Sequence, residues 1–225
     1  MVAGNKELGS GGRAGGNEVH VVANPQKVDI RPVILTGEHV QLVPLSLEHE
    51  AALIDAVRDG ELWRLWYTSV PTPDRIRAEI ERRLGLQAAG SMAPFTVIEL
   101  PSGRIVGMTT YMNIDPISPR VEIGSTWYAR SVQRSPLNTE AKLLLLGNAF
   151  EQLGCLAVEF RTHFFNHRSR RAIERLGAKL DGVLRSHQRS PDGSLRDTCV
   201  YSIIACEWPT VRSHLSFNLG RSLGS

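Results

Sequence analysis

The run "VEIGSTWYARSVQRSPLNTEAKLLLLGNAFEQLG", residues 121–154, constrains this chain more than any other segment. Its first part alternates as a strand does. Period two puts Val121, Ile123, Ser125 and Trp127 on one face and Glu122, Gly124, Thr126 and Tyr128 on the other. A short basic turn follows, and then an apolar helix. Ser135 suits the N-cap and Pro136 the first helical position, where a missing N–H costs nothing. Leu143, Leu146, Phe150 and Leu153 are the expected buried stripe, Gly154 is the stop, and Gly147 suggests close backbone packing. The unpaired N–H groups and dipole of such a helix start favour a bound anion. Gln133, Arg134, Ser135, Asn138 and Thr139 can add side-chain donors around it, although an ordinary capped and solvated helix start fits the same residues.

The flanking segments extend this unit. Upstream, "EHVQLVPL" reads as a strand with Val40 and Leu42 on one face, and Ser46 caps a helix with a stripe of Ala51, Ile54 and Val57. A second helix is predicted from about Asp74 to Ala89. The strands "APFTVIEL" and "RIVGMTTYMNI" join through Pro101-Ser102-Gly103 as a hairpin. Downstream come the strand "LAVEFRTHF" and the helix "NHRSRRAIERLG", with an Asn cap and a Gly stop. Two strands, "KLDGVLRSHQ" and "LRDTCVYSII", flank the turn "RSPDGS", and a last helix begins near Glu207. An antiparallel meander leading into a β-α-β unit implies an α+β fold with a mixed, mostly antiparallel central sheet flanked by helices. We expect one domain over residues 31–217. A flexible Gly-rich tail over 1–30 precedes it and a short tail over 218–225 follows.

Composition narrows the function classes. The chain has 225 residues, and a formal charge of +3 is too small to argue for bulk nucleic-acid binding. Three cysteines, Cys155, Cys199 and Cys206, show no metal-ligand spacing and no disulfide framework, so each reads as a buried structural thiol and no metal is expected. No apolar run reaches the ~20 residues that span a bilayer, and the N-terminus lacks an apolar signal region, so a soluble cytoplasmic protein is expected.

Together, the strand "VEIGSTWYA", the basic turn, "NTEAK" at 138–142, and the Asn-x-x-Ser opening at 166–169 with "RLGA" closing its helix resemble the GNAT superfamily of N-acetyltransferases. The likeness is to its ribosomal-protein-alanine acetyltransferase (RimJ/RimL-like) branch and runs from about Thr36 to Cys206. In that family the strand-turn-helix element holds the pyrophosphate of acetyl-CoA, and the turn carries glycines in a Q/R-x-x-G-x-G/A pattern. Here the glycine places fall on Arg134 and Pro136 and the leading place on Ser131. Pro136 has no backbone N–H to offer phosphate, whereas Arg134 adds a charge-assisted donor.

The resemblance implies an N-acyltransferase that moves an acetyl or other short acyl group from acyl-CoA to a primary amine, by direct attack in a ternary complex. Trp127, Tyr128, Gln133, Arg134, Ser135, Pro136, Leu137, Asn138, Thr139, Asn166, Ser169 and Arg170 are the implied cofactor residues. The strand near Trp127 would splay from its neighbour and pair with the pantetheine arm. Glu122 is the implied base, with a sheet-face carboxylate paired to Arg as its alternative, and Ser169 substitutes for the absent tyrosine acid of the family. Trp66, Tyr67, Thr68, Thr110 and Tyr111 are the candidate acceptor rim. The acceptor is a small molecule or a protein N-terminus, no membrane partner is expected, and a homodimer is the family-level expectation. A CoA-binding regulatory protein with impaired catalysis is the rival reading. A nucleic-acid module built on Arg168, Arg170, Arg171 and Arg175 is a weaker one.

Overall fold

In the computed structural model, Met1, residues 30–190 and residues 192–220 are described. Residues 2–29 of the expected N-terminal tail, residues 221–225 of the C-terminal one, and Pro191 of the "RSPDGS" turn lie outside them. Eight strands form one sheet: β1 (Leu35–Thr36), β2 (Val40–Pro44), β3 (Met92–Glu99), β4 (Arg104–Asp115), β5 (Arg120–Tyr128), β6 (Ala157–His163), β7 (Lys179–Arg189) and β8 (Leu195–Ile204). Their spatial order is β1-β2-β3-β4-β5-β6-β8-β7, and every neighbouring pair is antiparallel except β5–β6. The sheet is therefore mixed and mostly antiparallel, as expected, with the two-residue β1 as an unanticipated addition.

Five α-helices cover it: α1 (Glu50–Arg58), α2 (Ile76–Ala88), α3 (Leu137–Gly147), α4 (His167–Arg175) and α5 (Trp208–Asn218). Side-chain contacts assign the layers. Arg83 of α2 reaches Thr110 on one face, and Tyr111, the next residue of β4, reaches Leu145 of α3 on the other. Tyr201 of β8 meets Glu174 of α4 on the α3 face. Helices α1 and α2 thus cover one side, and α3, α4 and α5 the other.

Several local expectations shift by a turn or a face. The buried stripe of α1 is Leu53, Ala56 and Val57, while Ala51 is exposed. A 3₁₀ turn, Leu47–His49, intervenes between the Ser46 cap and α1 and rotates the helix away from the expected register. In α3 the buried residues include Leu137, Ala141, Leu145 and Leu146, and the expected Leu143, Phe150 and Leu153 are only half-buried. A Cβ on Gly147 would meet the Trp208 ring at an ordinary 3.7 Å, so close packing does not require that glycine. Cys155 and Cys199 are buried as expected; Cys206, at the turn before α5, is exposed.

The N-terminal edge is tied to α3 by one carboxylate. Glu140, fully buried, accepts from the backbone N–H groups of Glu38 (2.8 Å), His39 (2.6 Å) and Val40 (2.9 Å). A Cβ on Gly37 would stand 2.3 Å from its carboxyl carbon, so the carboxylate fits only against glycine there. The "NTEAK" run thereby acquires a structural role at its third residue.

Candidate active site

The parallel pair β5–β6 is joined only over Arg120–Glu122 and Ala157–Glu159. Beyond that point β6 continues pairing with β8 as far as His163, and β5 continues with β4 as far as Tyr128. Two strands that share a start but not an end open a V-shaped fork between them. Glu122 stands at its vertex, on the last paired position.

A bulge re-aims the arm of the fork. Met108 pairs with Trp127 but Thr110 with Gly124, so Ser125 and Thr126 stand opposite one residue, and Ser125 takes the left-handed φ of 47°. Alternation breaks there. Thr126 turns to the α3 face, where its hydroxyl bonds Thr109 (2.7 Å) and receives Lys142 (3.1 Å). The simple two-face assignment of Glu122 with Thr126 is corrected by this extra residue. Arg83, 2% exposed, holds the bulge from the other side: it donates to Thr110 Oγ1 (2.7 Å), to the Ser125 carbonyl (3.1 Å) and to Glu79 (2.7 Å).

Past the bulge, Trp127 and Tyr128 are buried, yet the indole Nε1 and the phenol oxygen have no hydrogen-bond partner. Orphaned buried polar atoms are rare in finished structures and suit a group that arrives later. Burial pushes the Tyr128 phenol up, so it stays a donor. Gln133 links the turn to both arms: its amide donates to the Tyr128 carbonyl (3.0 Å) and accepts from Arg168 of α4 (2.6 Å).

At the turn itself, Arg134 has φ 64°, the left-handed region where a glycine carries no steric penalty. This gives a physical reason for the family's glycine at the matching place, and shows that this chain accepts strain to put an exposed cation there. Helix α3 begins one residue later than expected, with Pro136 as the flanking residue. Ser135 still accepts from the Leu137 N–H (3.3 Å) and donates to the Val132 carbonyl (2.7 Å). Leu137 is buried and its N–H is taken, which removes it from the residues free to meet a ligand. Asn138 and Thr139 occupy the next two helical positions, whose N–H groups have no carbonyl one turn back.

On the other arm, Asn166 caps α4 by accepting from the Ser169 N–H (3.0 Å), as the sequence predicts. The Ser169 hydroxyl has no hydrogen-bond partner among the described residues. Arg170 is otherwise engaged: it donates to Tyr201 Oη (3.1 Å) and the Phe164 carbonyl (3.4 Å) and lies 4.9 Å over the Phe164 ring. These contacts dock α4 on the sheet.

The α1/α2 side of the fork carries the charged cluster. Glu122, 6% exposed, accepts from Asn113 Nδ2 (2.7 Å) and faces Arg161 Nε at 3.6 Å. Burial raises its pKa, and the Asn113 hydrogen bond and the Arg161 charge hold it back. Glu159 bridges Arg120 (2.6 Å) and Arg161 (3.0 Å). Above them, exposed Trp66 packs edge-on to His163 at 5.0 Å and lies 6.0 Å from the exposed Phe165 ring. Tyr67 packs edge-on to Trp66. Thr68 closes a local turn through Leu62 and Leu65. Thr110 is fully buried under Arg83, and Tyr111 is fully buried with its hydroxyl on the Leu145 carbonyl of the opposite face. Neither reaches the cleft, which corrects both as acceptor contacts. Asn113, Arg161 and Arg196 were missed as site residues because they come from three strands with no shared local motif. Among the described residues no helix is long and apolar enough to cross a membrane, and no His, Cys, Asp or Glu cluster is arranged to hold a metal.

A family model described as an acetyltransferase (GNAT) domain matches residues 39–179. The provisionally named ribosomal N-acetyltransferase YdaF of Bacillus subtilis (strain 168) is 30% identical over 109 residues, which are 48% of this chain and 58% of that one. The matched segment thus spans less than two thirds of that relative. A provisionally named acetyltransferase from T. thermophilus superimposes with a TM-score of 0.74 at 36% identity, covering 84% of this chain and 98% of its own. Mycobacterium smegmatis RimJ, solved in complex with CoA-disulfide, superimposes with a TM-score of 0.72, covering 84% of this chain and 96% of its own; at 20% identity it shows the fold alone.

Proposed function

This chain belongs to the GNAT acetyltransferase family, and from that premise we propose that it moves an acetyl or other short acyl group from acyl-CoA to a primary amine by direct attack in a ternary complex. The observation that carries the reading is the fork. Strands β5 and β6 part after Glu122 and Glu159, beside a helix start suited to an anion and above an acid of raised pKa.

The residues present fit the cofactor. Arg134 and the Asn138 and Thr139 N–H groups would take the pyrophosphate. The unpaired arm of β5 near Trp127 and Tyr128, with the orphaned indole and phenol, would take the pantetheine, and Asn166 and Ser169 would face it from α4. Bound there, acyl-CoA supplies an acyl carbon activated by its thioester.

The chain's own residues then serve the amine. Glu122 draws a proton from it, directly or through one water, so that nitrogen attacks as a neutral nucleophile. A backbone N–H near Trp127 would donate to the carbonyl oxygen as charge grows on it, in an arm held by the Arg83-clamped bulge. The C–N bond would form as the C–S bond breaks, and the second proton of the nitrogen would pass through the Ser169 hydroxyl to the departing sulfur.

A thermal-shift titration with acetyl-CoA, CoA and dephospho-CoA tests this. Ligand at about a hundredfold over its Kd stabilises the folded state by about 2.7 kcal/mol. A raised midpoint that shrinks in Arg134→Gly and Asn166→Ala places the cofactor as proposed. No shift at millimolar acetyl-CoA removes the enzyme reading.

A further inference from the structure

Among the described residues, the Arg196 side chain of β8 has no hydrogen-bonded or ion-paired partner. Its Nε is buried with no hydrogen-bond acceptor, and it joins no ion pair among the described residues. Its position follows from register. Thr198 pairs with His163, so Arg196, two residues along β8 on the same face, lies past the end of β6 at the mouth of the fork. Its neighbours are otherwise occupied. Arg161 and Arg120 already hold Glu159, and Arg161 also faces Glu122. Asp197 points the other way, to Arg185 (2.6 Å). Glu122 attracts Arg196 without an ion pair forming, and Arg196 in turn helps to depress the His163 pKa, after burial itself.

A half-buried arginine with an orphaned Nε is expensive to leave unanswered. Its fork geometry suits a carboxylate, which accepts two parallel N–H bonds. The surroundings say where that carboxylate would sit. The acid that would take the amine proton is at the vertex and the Arg196 guanidinium is at the mouth, while exposed Trp66 packs on His163, whose β8 partner Thr198 is two residues from Arg196.

We propose that the amine acceptor carries an anionic group, a carboxylate in the simplest case, several bonds from its reacting nitrogen, and that Arg196 binds it while Glu122 receives the amine. Arg196 is then a specificity-determining residue. This rests on the transferase reading above.

The test measures acetyl transfer from acetyl-CoA to tripeptide amides that differ only at the second residue, Glu, Gln or Lys, after an N-terminal Ala. A second arm compares γ-aminobutyrate with its amide, so that a small acidic amine is told apart from an acidic peptide N-terminus by which one turns over faster. One charge-assisted contact predicts about a tenfold higher kcat/KM for the acidic member of a pair over its amide. That ratio should fall to near one in Arg196→Gln and turn toward the Lys peptide in Arg196→Glu. Ratios within one variant are insensitive to how much of the protein is folded. Equal or lower turnover of the acidic members in the wild-type chain, or an acidic preference that survives Arg196→Glu, overturns the inference and leaves the transferase reading standing. Transfer to no amine at all overturns both.

Discussion

Arg83 and Ser125, 42 residues apart in the chain, meet at 3.1 Å, the guanidinium of α2 donating to the carbonyl of the bulge in β5. The same guanidinium is anchored by Glu79 and Thr110, so three acceptors on three elements fix one planar group. A bulged strand with a left-handed Ser125 is held in that shape from outside the strand.

Arg83→Lys keeps the charge but not the planar fork, and Arg83→Met removes both. Breaking a buried pair of this kind costs roughly 3 kcal/mol or more. We expect a clear fall in the thermal midpoint of Arg83→Met and a partial fall in Arg83→Lys. Where folded protein remains, kcat should drop more than acetyl-CoA affinity, because the bulge aims the arm that would face the reacting carbonyl in the proposed mechanism.

As the proposed base, Glu122 would act only when ionised, and burial lifts its pKa above the ordinary value of 4.5. The transfer rate should therefore fall as pH drops through that raised value. Asn113 donates to the ionised carboxylate and favours it, so Asn113→Ala should move the fall to higher pH. Glu122→Gln should lose the limb together with roughly 10²- to 10⁴-fold in kcat. An unshifted profile in Asn113→Ala would separate the limb from this carboxylate.

Lys142 is buried against Thr109 and Thr126 with no carboxylate beside it, and burial lowers its pKa from 10.5 to about 7. The unfolded chain holds this proton up to about 10.5, the folded one only up to about 7. Folding is opposed in full below the lower value, and stability should rise with pH between the two. Lys142→Met should be the more stable protein at pH 6, by on the order of 3 to 5 kcal/mol, with the gap closing toward pH 10.5. Denaturant melts of both proteins across that range check it.

Glu140 offers one carboxylate to three backbone donors of the turn between β1 and β2, against a Gly37 that leaves it room. Glu140→Ala should cost about 3 kcal/mol or more, since each charge-assisted bond contributes about 1.5 to 3 kcal/mol. Gly37→Ala should be destabilising in the wild-type chain and much less so on the Glu140→Ala background, because its clash is with that carboxylate. Additive losses in the double-mutant cycle would refute the nest.

What the sequence by itself determined is local. Period-two and period-3.6 patterns located the long strands and the helices, and Asn166 and Gly177 bounded α4 because a cap and a left-handed stop act within one turn. The motif residues at 138–142 and 166–169 carried the family, and with it the sheet and the fork, before any contact was known. Tertiary structure decided which of those residues face the cleft. A bulge is an excess of one residue against a partner strand, so only pairing with β4 reveals that Thr126 leaves the Glu122 face. Tyr111 and Thr110 were read as rim residues from their strand, but packing under α3 and under Arg83 buried both. Arg161 and Arg196 come from β6 and β8, and no spacing in the chain encodes their approach to Glu122 of β5. Charge and hydrogen-bond matching at that distance is settled only when the sheet has closed, because its energy depends on burial that no single segment supplies.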